Sequence, residues 1–464
     1  MNEMIEGLFG DKSLALLGFG REGRSSYTLL RRVFPQKTLA ILDENDNIRQ
    51  DACLQNDYNL VFITGKDCMQ AIDNYDVAIK SPGIPSNTLP DKFKRVRLTS
   101  QTDIYMQCYG HQSIGVTGTK GKSTTSSIIF HILKNAGRKT LLVGNIGVPP
   151  FDCIDEITPE TTIVMELSSH QLEYVAHSPH IALLLNIFQE HLDHYHTYGD
   201  YQKAKLNISM YQSANDYFIY NHDNEILRNQ MEISPHPKSE LISFSLDTGP
   251  DTLLNLKDAW VELQLKSGKI RLYDTSQGQP LMGHHNLYNI MAAAAACSLA
   301  GVSPEHISAG IRSFNGLEHR IEPVGTYEDI MWYNDSIATI PEAAIEAVKT
   351  LHCVDTLILG GFDRGIEYAI LYPFLFHSGI SNLIFLGKAG TRMMNELKVY
   401  GESNIKFFTA TDYQEVVDIA LRVTKKGKIC LLSPAAASYD MFSNFEERGN
   451  TFKKNVRKLL SSHN

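Results

Sequence analysis

Residues 115–124 read Gly115-Val-Thr-Gly-Thr-Lys-Gly-Lys-Ser-Thr124, a glycine-rich turn that ends in Lys-Ser-Thr. The apolar run from Ser113 to Thr117 leads into it, and a helical pattern follows from about Ser123. A phosphate-binding loop requires that context of strand, turn and helix. Glycines let backbone N–H groups turn inward around phosphate oxygens, and the helix start directs its positive dipole end at the anion. Lys122 is placed to reach the β- and γ-phosphates of a nucleotide, and Ser123 to ligate Mg2+. The strict pattern has glycine where Val116 stands; here the glycine falls one residue earlier, at Gly115.

Other residues of matching chemistry lie at predicted strand ends. Glu166 follows the strand Thr162-Ile-Val-Met165. In open α/β sheets ligands bind beyond the carboxyl ends of strands, and hard cations prefer oxygen, so Glu166 is a candidate Mg2+ ligand. After a third apolar run, Ile181 to Leu185, come His191, Asp193 and Lys205. His191 and Asp193 are candidates for a second cation or for holding a substrate. Their spacing forms no HxxxH pair and no cysteine joins them, which argues against zinc. A second glycine turn, Gly18-Phe-Gly-Arg-Glu-Gly23, fits GxGxxG after a strand, with Asp43 closing the next strand. Alone it describes a dinucleotide site. Beside a phosphate loop it suits a second nucleotide-like ligand, such as a UDP-linked substrate. A nicotinamide-dependent dehydrogenase would leave the Lys122 loop unexplained.

These residues need parallel sheets to hold them. Alternating strand and helix patterns predict an α/β chain of three domains: a Rossmann-like amino-terminal domain over residues 1–98, a central P-loop ATPase domain over 99–316 and a Rossmann-like carboxy-terminal domain over 317–464. Predicted strands include Leu39 to Asp43, Leu60 to Ile63, Val77 to Ile79, Leu357 to Leu359, Asn382 to Phe385 and Ile429 to Leu432. Predicted helices cover Ser25 to Val33, Asn289 to Leu299, Pro341 to Leu351 and Thr451 to Leu460, and a weakly alternating stretch from Asp251 to Tyr273 predicts a small antiparallel patch. With 464 residues, 43% of them hydrophobic, each region can bury a core. The net charge of -9 argues against a nucleic-acid binder relying on a basic face. No run approaches the roughly 18 apolar residues of a membrane span, and no signal peptide is visible. The seven scattered cysteines form no CxxC pair and suit reduced thiols, so a cytoplasmic location is expected.

Taken together the motifs resemble the Mur ligase family over nearly the whole chain. The resemblance is carried by Gly118-Thr-Lys-Gly-Lys-Ser-Thr124, Glu166-Leu-Ser-Ser-His-Gln171, Glu190-His-Leu-Asp-His-Tyr195 with Ala204 and Lys205, and Gly283-His-His-Asn286 with Asn289. It continues through Glu318-His-Arg320, Asn334-Asp-Ser336, Leu432-Ser-Pro-Ala-Ala-Ala-Ser438 and Asn444-Phe-Glu-Glu-Arg-Gly449, the last two resembling the glutamate-adding branch. The resemblance implies an ATP-dependent ligase that joins glutamate to UDP-N-acetylmuramoyl-L-alanine through an acyl phosphate. D-glutamate is favoured; L-glutamate, or another Mur-type or folylpolyglutamate-type reaction, is the alternative.

The same resemblance implies roles. Gly118, Thr119, Lys120, Gly121, Lys122, Ser123 and Thr124, with Asn289, Arg320 and Asp335, would bind ATP. Ser123, Glu166, His191 and a carbamylated Lys205 would hold two Mg2+ ions, with Lys122, His191 and Lys205 catalytic. Arg21 and Glu22 in the first glycine turn, Asp43, Glu44, Gly83, Asn145, Ser168 and Gln171 would hold the UDP substrate. Thr339, Arg364, Ser438, Tyr439 and Phe445 would surround the glutamate. Two positions depart from the branch, Ile337 and Arg364, each where lysine is common. They leave the stereochemistry of the glutamate open. A monomer acting on small molecules, without nucleic acid or membrane, is expected.

Overall fold

The computed structural model describes residues 1–89, 95–190, 194–233, 237–247, 249, 252–266, 268–277, 281, 284–401 and 404–459. Among them the strands gather into three sheets, and the chain divides into two compact units, Met1–Phe314 and Asn315–Asn464.

The first sheet comprises β1 (Leu14–Leu17), β2 (Leu39–Asp43), β3 (Leu60–Thr64), β4 (Val77–Lys80) and β5 (Arg97–Thr99), in the order β3-β2-β1-β4-β5. All its pairings are parallel. The order reverses between β1 and β4, and such a switch point opens a ligand crevice beyond the strand ends. Apolar runs such as Leu14-Ala-Leu-Leu17 are buried on both faces, as parallel strands must be.

The middle sheet holds β6 (Ser113–Thr117), β7 (Thr140–Gly144), β8 (Thr162–Glu166), β9 (Ile181–Leu184), β10 (Tyr217–Asn221), β11 (Glu240–Ser245), β12 (Leu254–Lys257), β13 (Trp260–Leu265) and β14 (Gly268–Asp274). Their order is β14-β13-β12-β11-β10-β9-β6-β8-β7. The expected antiparallel patch is β12–β13–β14, extending a parallel sheet. In the second unit β15 (Glu322–Tyr327), β16 (Ile330–Asn334), β17 (Val354–Gly360), β18 (Asn382–Leu386), β19 (Lys406–Thr409) and β20 (Ile429–Leu432) run in the order β15-β16-β20-β17-β18-β19, with only β15–β16 antiparallel.

The helices that matter for chemistry are α1 (Arg21–Val33), α2 (Lys122–Asn135), α3 (Tyr198–Met210), α4 (His284–Leu299) and α5 (Phe445–Lys458). Three of these start earlier than expected. Arg21 and Glu22 belong to the first turn of α1, not to the glycine turn before it. Helix α4 begins at His284 and α5 at Phe445, where the Asn444 side chain accepts from the Glu447 N–H. The alanine run of α4 is wholly buried against α2, and no helix among the described residues is long and apolar enough to cross a membrane.

Candidate active site

The loop between β6 and α2 is built as its glycines require. Gly118 and Gly121 sit at φ +157 and +87, and Gly121 caps α2 from the left-handed region. A Cβ on Gly121 would lie 2.3 Å from Asn289 Oδ1, so α4 closes over the loop at that point. Asn289 is buried and its Oδ1 accepts from the Thr125 hydroxyl at 3.2 Å. Thr119 donates its N–H to the Asn186 carbonyl, and its hydroxyl meets Tyr201 OH at 2.8 Å. Lys120 pairs with Glu190 at 2.5 Å. Ser123 and Thr124 lie half-buried in the first turn of α2.

Two ammonium groups converge on one carbonyl. Lys122 Nζ and Lys205 Nζ each donate to Gly118 O at 2.9 Å. Lys205 comes from α3, lies 4.9 Å over the Tyr201 ring and is almost wholly buried. Burial, reinforced by the Lys122 charge, pulls Lys205 down to about 7. From composition alone Lys205 is a solvated helix residue; only the fold puts it under the loop.

Glu166 ends β8 directly across from Val116 of β6. Its Oε1 accepts from Asn145 Nδ2 at 2.7 Å, and its Oε2 is buried with no hydrogen-bond partner among the described residues. A buried carboxylate oxygen without a donor fits a hard cation. Ser168 and Gln171 form a capping box on the short helix Ser169–Leu172. Gln171 Nε2 then donates to Glu22 Oε1 at 2.6 Å, joining the middle sheet to α1. Burial pushes the Glu22 carboxyl up, against the Gln171 hydrogen bond and the charges of Arg21 and Lys80. Arg21 donates to the Gly147 carbonyl. His191 and Asp193 lie outside the described residues.

Beyond β1 and β2 opens a cavity of about 440 Å3 lined by Phe19, Gly20, Arg24, Asp43, Asn45, Asn47 and Asp51 among others. Asp43 does structural work here: its Oδ2 accepts from the Phe19 N–H at 2.7 Å and its Oδ1 from Asn45 N–H. Glu44 and Gly83 are exposed. Arg24 and Asn45 escape the sequence reasoning, though both flank motifs it singles out. So does the buried pair Lys80–Glu173, for which the sequence carries no signal.

In the second unit Asp335 directly follows β16, is buried, and accepts from Ser433 Oγ at 2.6 Å and the Ile321 N–H at 3.2 Å. Burial pushes it up to about 7. Arg320 and Arg364 are exposed, and Arg364 donates to the Thr339 carbonyl at 3.0 Å. Ser438 is buried and Tyr439 exposed, its ring against Phe362. The Phe445 carbonyl accepts from Ser336 Oγ. One residue organises them: Arg448, buried, donates to Ser336 Oγ at 2.9 Å and Ser336 O at 2.7 Å, and to the carbonyls of Ala436 and Ala437 at 2.9 and 3.0 Å. Its guanidinium ties the end of β16 to the loop after β20 and to α5. The arginine is visible in the Asn444–Gly449 motif; that it is buried is not.

Comparison with known proteins adds the family. The model of the Mur ligase middle domain matches residues 116–297. A UDP-N-acetylmuramoylalanine–D-glutamate ligase of Acetivibrio thermocellus is 31% identical over 459 residues, covering 97% of each chain. One from Ligilactobacillus salivarius is 34% identical over 468 residues and covers 98% of each. Among solved structures a MurF ligase from Thermotoga maritima in complex with ADP is similar in fold, with TM-score 0.52 at 17% identity over 96% of this chain and 95% of that one.

Proposed function

Because the chain belongs to the Mur ligase family, we propose that it joins glutamate to UDP-N-acetylmuramoyl-L-alanine, converting ATP to ADP and phosphate, as a cytoplasmic monomer in peptidoglycan precursor synthesis. One observation carries the reading: Lys122 and Lys205 converge on the Gly118 carbonyl of a phosphate-type loop. The sheet register sets Glu166 beside that loop.

The substrate carboxylate attacks the γ-phosphorus, the bond to ADP breaks, and an acyl phosphate forms. The glutamate amine then attacks the acyl carbon, and the tetrahedral adduct expels phosphate and loses the ammonium proton. Two anions must meet in the first step. Loop N–H groups from Gly118 to Thr124 cradle the phosphates, and Lys122 offsets their charge. Asn289 packs at the loop, and Arg320 and Asp335 hold the rest of the nucleotide. Glu166, Ser123, His191 and Lys205 would hold Mg2+, whose chemistry is to neutralise charge between carboxylate and phosphate. Lys205, neutral to a large extent near pH 7, adds CO2 and releases a proton, becoming a carbamate anion. Asn145 and the turn carrying Ser168 and Gln171 hold the muramoyl-alanine end, while the α1 start and the cavity at Asp43 hold the UDP end. Thr339, Arg364, Ser438, Tyr439 and Phe445 receive the glutamate. Fixing the reactants in one geometry lowers such a barrier by up to about 7–11 kcal/mol.

The relatives' names favour D-glutamate. Ile337 and Arg364 stand where the branch commonly has lysine, and the same reaction with L-glutamate is the second reading. The test is phosphate release from ATP with UDP-N-acetylmuramoyl-L-alanine and either enantiomer. Release that needs both the UDP substrate and D-glutamate supports the proposal. Preference for L-glutamate selects the second reading, and release independent of glutamate refutes both.

A further inference from the structure

The first and middle sheets are joined by polar side-chain contacts, and two of these meet at one turn. Glu22 Oε1 accepts from Gln171 Nε2 at 2.6 Å. Lys80, the last residue of β4, pairs with Glu173 at 3.2 Å. Lys80 is 3% exposed and Glu173 is nearly as enclosed; Ser86 Oγ, from the loop after β4, donates to the His194 carbonyl, while His194 Nε2 lies 3.4 Å from the Glu173 carboxylate. Burial pushes Glu173 up, but His194 and Lys80 more than offset it, and its carboxyl ends below the ordinary value. Both acceptor and donor on the middle-sheet side sit on one turn: Gln171 lies within the Ser169–Leu172 helix and Glu173 follows it.

A buried ion pair contributes little net stability, because desolvation offsets its attraction, so its value lies in geometry. The Gln171 amide is committed at both ends. Its Oε1 accepts from the Ser168 N–H at 3.0 Å and its Nε2 serves Glu22. The turn carrying Ser168 and Gln171 is therefore held by residues of the first sheet. Resting on the proposed function, the substrate is one molecule bound at its UDP end by the first sheet and at its carboxylate end by the middle sheet. We propose that Glu22 and Lys80 are positioning residues: the pairs Glu22–Gln171 and Lys80–Glu173 set the span between the two ends of the UDP substrate and so its alignment for attack.

An exchange of polarity tests this. Gln171→Glu faces two carboxylates across the contact, and the KM for UDP-N-acetylmuramoyl-L-alanine is expected to rise about tenfold or more while the KM for ATP stays within about twofold. Glu22→Gln alone, whose amide can turn its carbonyl toward Gln171, is expected to raise the first KM less than Gln171→Glu does. The double variant, with Gln at 22 donating to Glu at 171, brings it back from the Gln171→Glu value to about that of Glu22→Gln alone. A double variant as impaired as Gln171→Glu overturns the proposal, as does a parallel rise in both KM values, which marks general damage. Lys80→Gln gives a second probe: a rise in the UDP-substrate KM with the ATP KM unchanged is expected, and no change overturns the role of that pair. A wild-type enzyme that releases no phosphate overturns the function beneath the proposal. Wild-type activity with Gln171→Glu unaffected overturns this inference alone.

Discussion

Replacing Gly121 by alanine isolates one contact that the phosphate loop depends on. The residue sits at φ +87. A side chain there costs about 1–2 kcal/mol in backbone strain alone. The added Cβ would lie 2.3 Å from Asn289 Oδ1 and 3.3 Å from a Leu185 methyl, and the first distance cannot be tolerated. Asn289 must therefore move, and it is buried and accepts from Thr125 at 3.2 Å. Losing that bond costs about 0.5–1.5 kcal/mol more. The sum, about 1.5–3.5 kcal/mol, corresponds to nucleotide affinity weakened roughly 10- to 400-fold if the loop must hold this shape to bind. Titrating a fluorescent ATP analogue measures it. The reasoning makes a sharper demand through a cycle with Asn289→Ala, which removes the clashing oxygen. In that background Gly121→Ala should cost only the backbone part, leaving a coupling of about 1 kcal/mol. Strict additivity of the two changes would refute the argument, because the clash would then not exist.

Other expectations follow from single groups. Since Lys205 is pulled down to about 7, its amine is about 90% neutral at pH 8, against below about 1% for an ordinary lysine. Enzyme equilibrated with 13C-bicarbonate should show a carbamate carbon that Lys205→Arg lacks, and turnover should fall when CO2 is stripped; a wild-type spectrum without that carbon refutes carbamylation. Asp335, raised to about 7 by burial, holds a proton in the folded state that the unfolded chain has released. Its contribution to stability therefore declines as pH climbs from about 4 to about 7 and levels above that. Urea midpoints across pH 5–8 should show this slope in the wild type and a flatter one in Asp335→Asn; parallel curves would contradict it. Arg448→Lys keeps the charge but loses the fork that reaches Ser336, Ala436 and Ala437. A cost on the order of 3 kcal/mol is expected. Hydrogen exchange should rise in residues 315–464 and not in 1–314, and uniform acceleration in both would argue against a local role.

Much of the three sheets is legible in the sequence, for a physical reason. Parallel strands buried on both faces are written as short apolar runs, so Leu39–Asp43, Ser113–Thr117 and Ile429–Leu432 read directly. Strands that escape notice are of two kinds. Glu240–Ser245 and Glu322–Tyr327 mix polar with apolar residues, whereas Tyr217–Asn221 and Ile330–Asn334 are short aromatic and apolar runs without a glycine turn motif beside them to single them out. Helix α1 reads late because Arg21 and Glu22 are charged and follow glycines, although charged side chains are common in a first turn. Loop residues 118–124 are legible since their spacing is local. Contacts made at a distance are not: Lys205 under Gly118, Glu22 against Gln171, and Arg448 inside the second unit each need residues far apart in the chain.

That distinction explains what the two lysines do together. Lys122 belongs to the motif and would face phosphates in any loop of this type. Lys205 arrives from α3, and its approach to the same carbonyl sets two ammonium groups side by side in a largely buried place. Burial disfavours the Lys205 charge first, the Lys122 charge adds to that and Glu190 opposes it, and the net penalty is expressed as the fall of Lys205 toward neutrality. Two routes relieve it. An anion can enter and restore the charged form of both, or Lys205 can become an anion itself and pair with Lys122. The first predicts that polyphosphate binding takes up a proton near pH 8; the second predicts no uptake, since the carbamate already balances Lys122. Calorimetry of ATP binding in buffers of different ionisation enthalpy separates the two, and carbamylation stands only if proton uptake appears after CO2 is removed and is absent before.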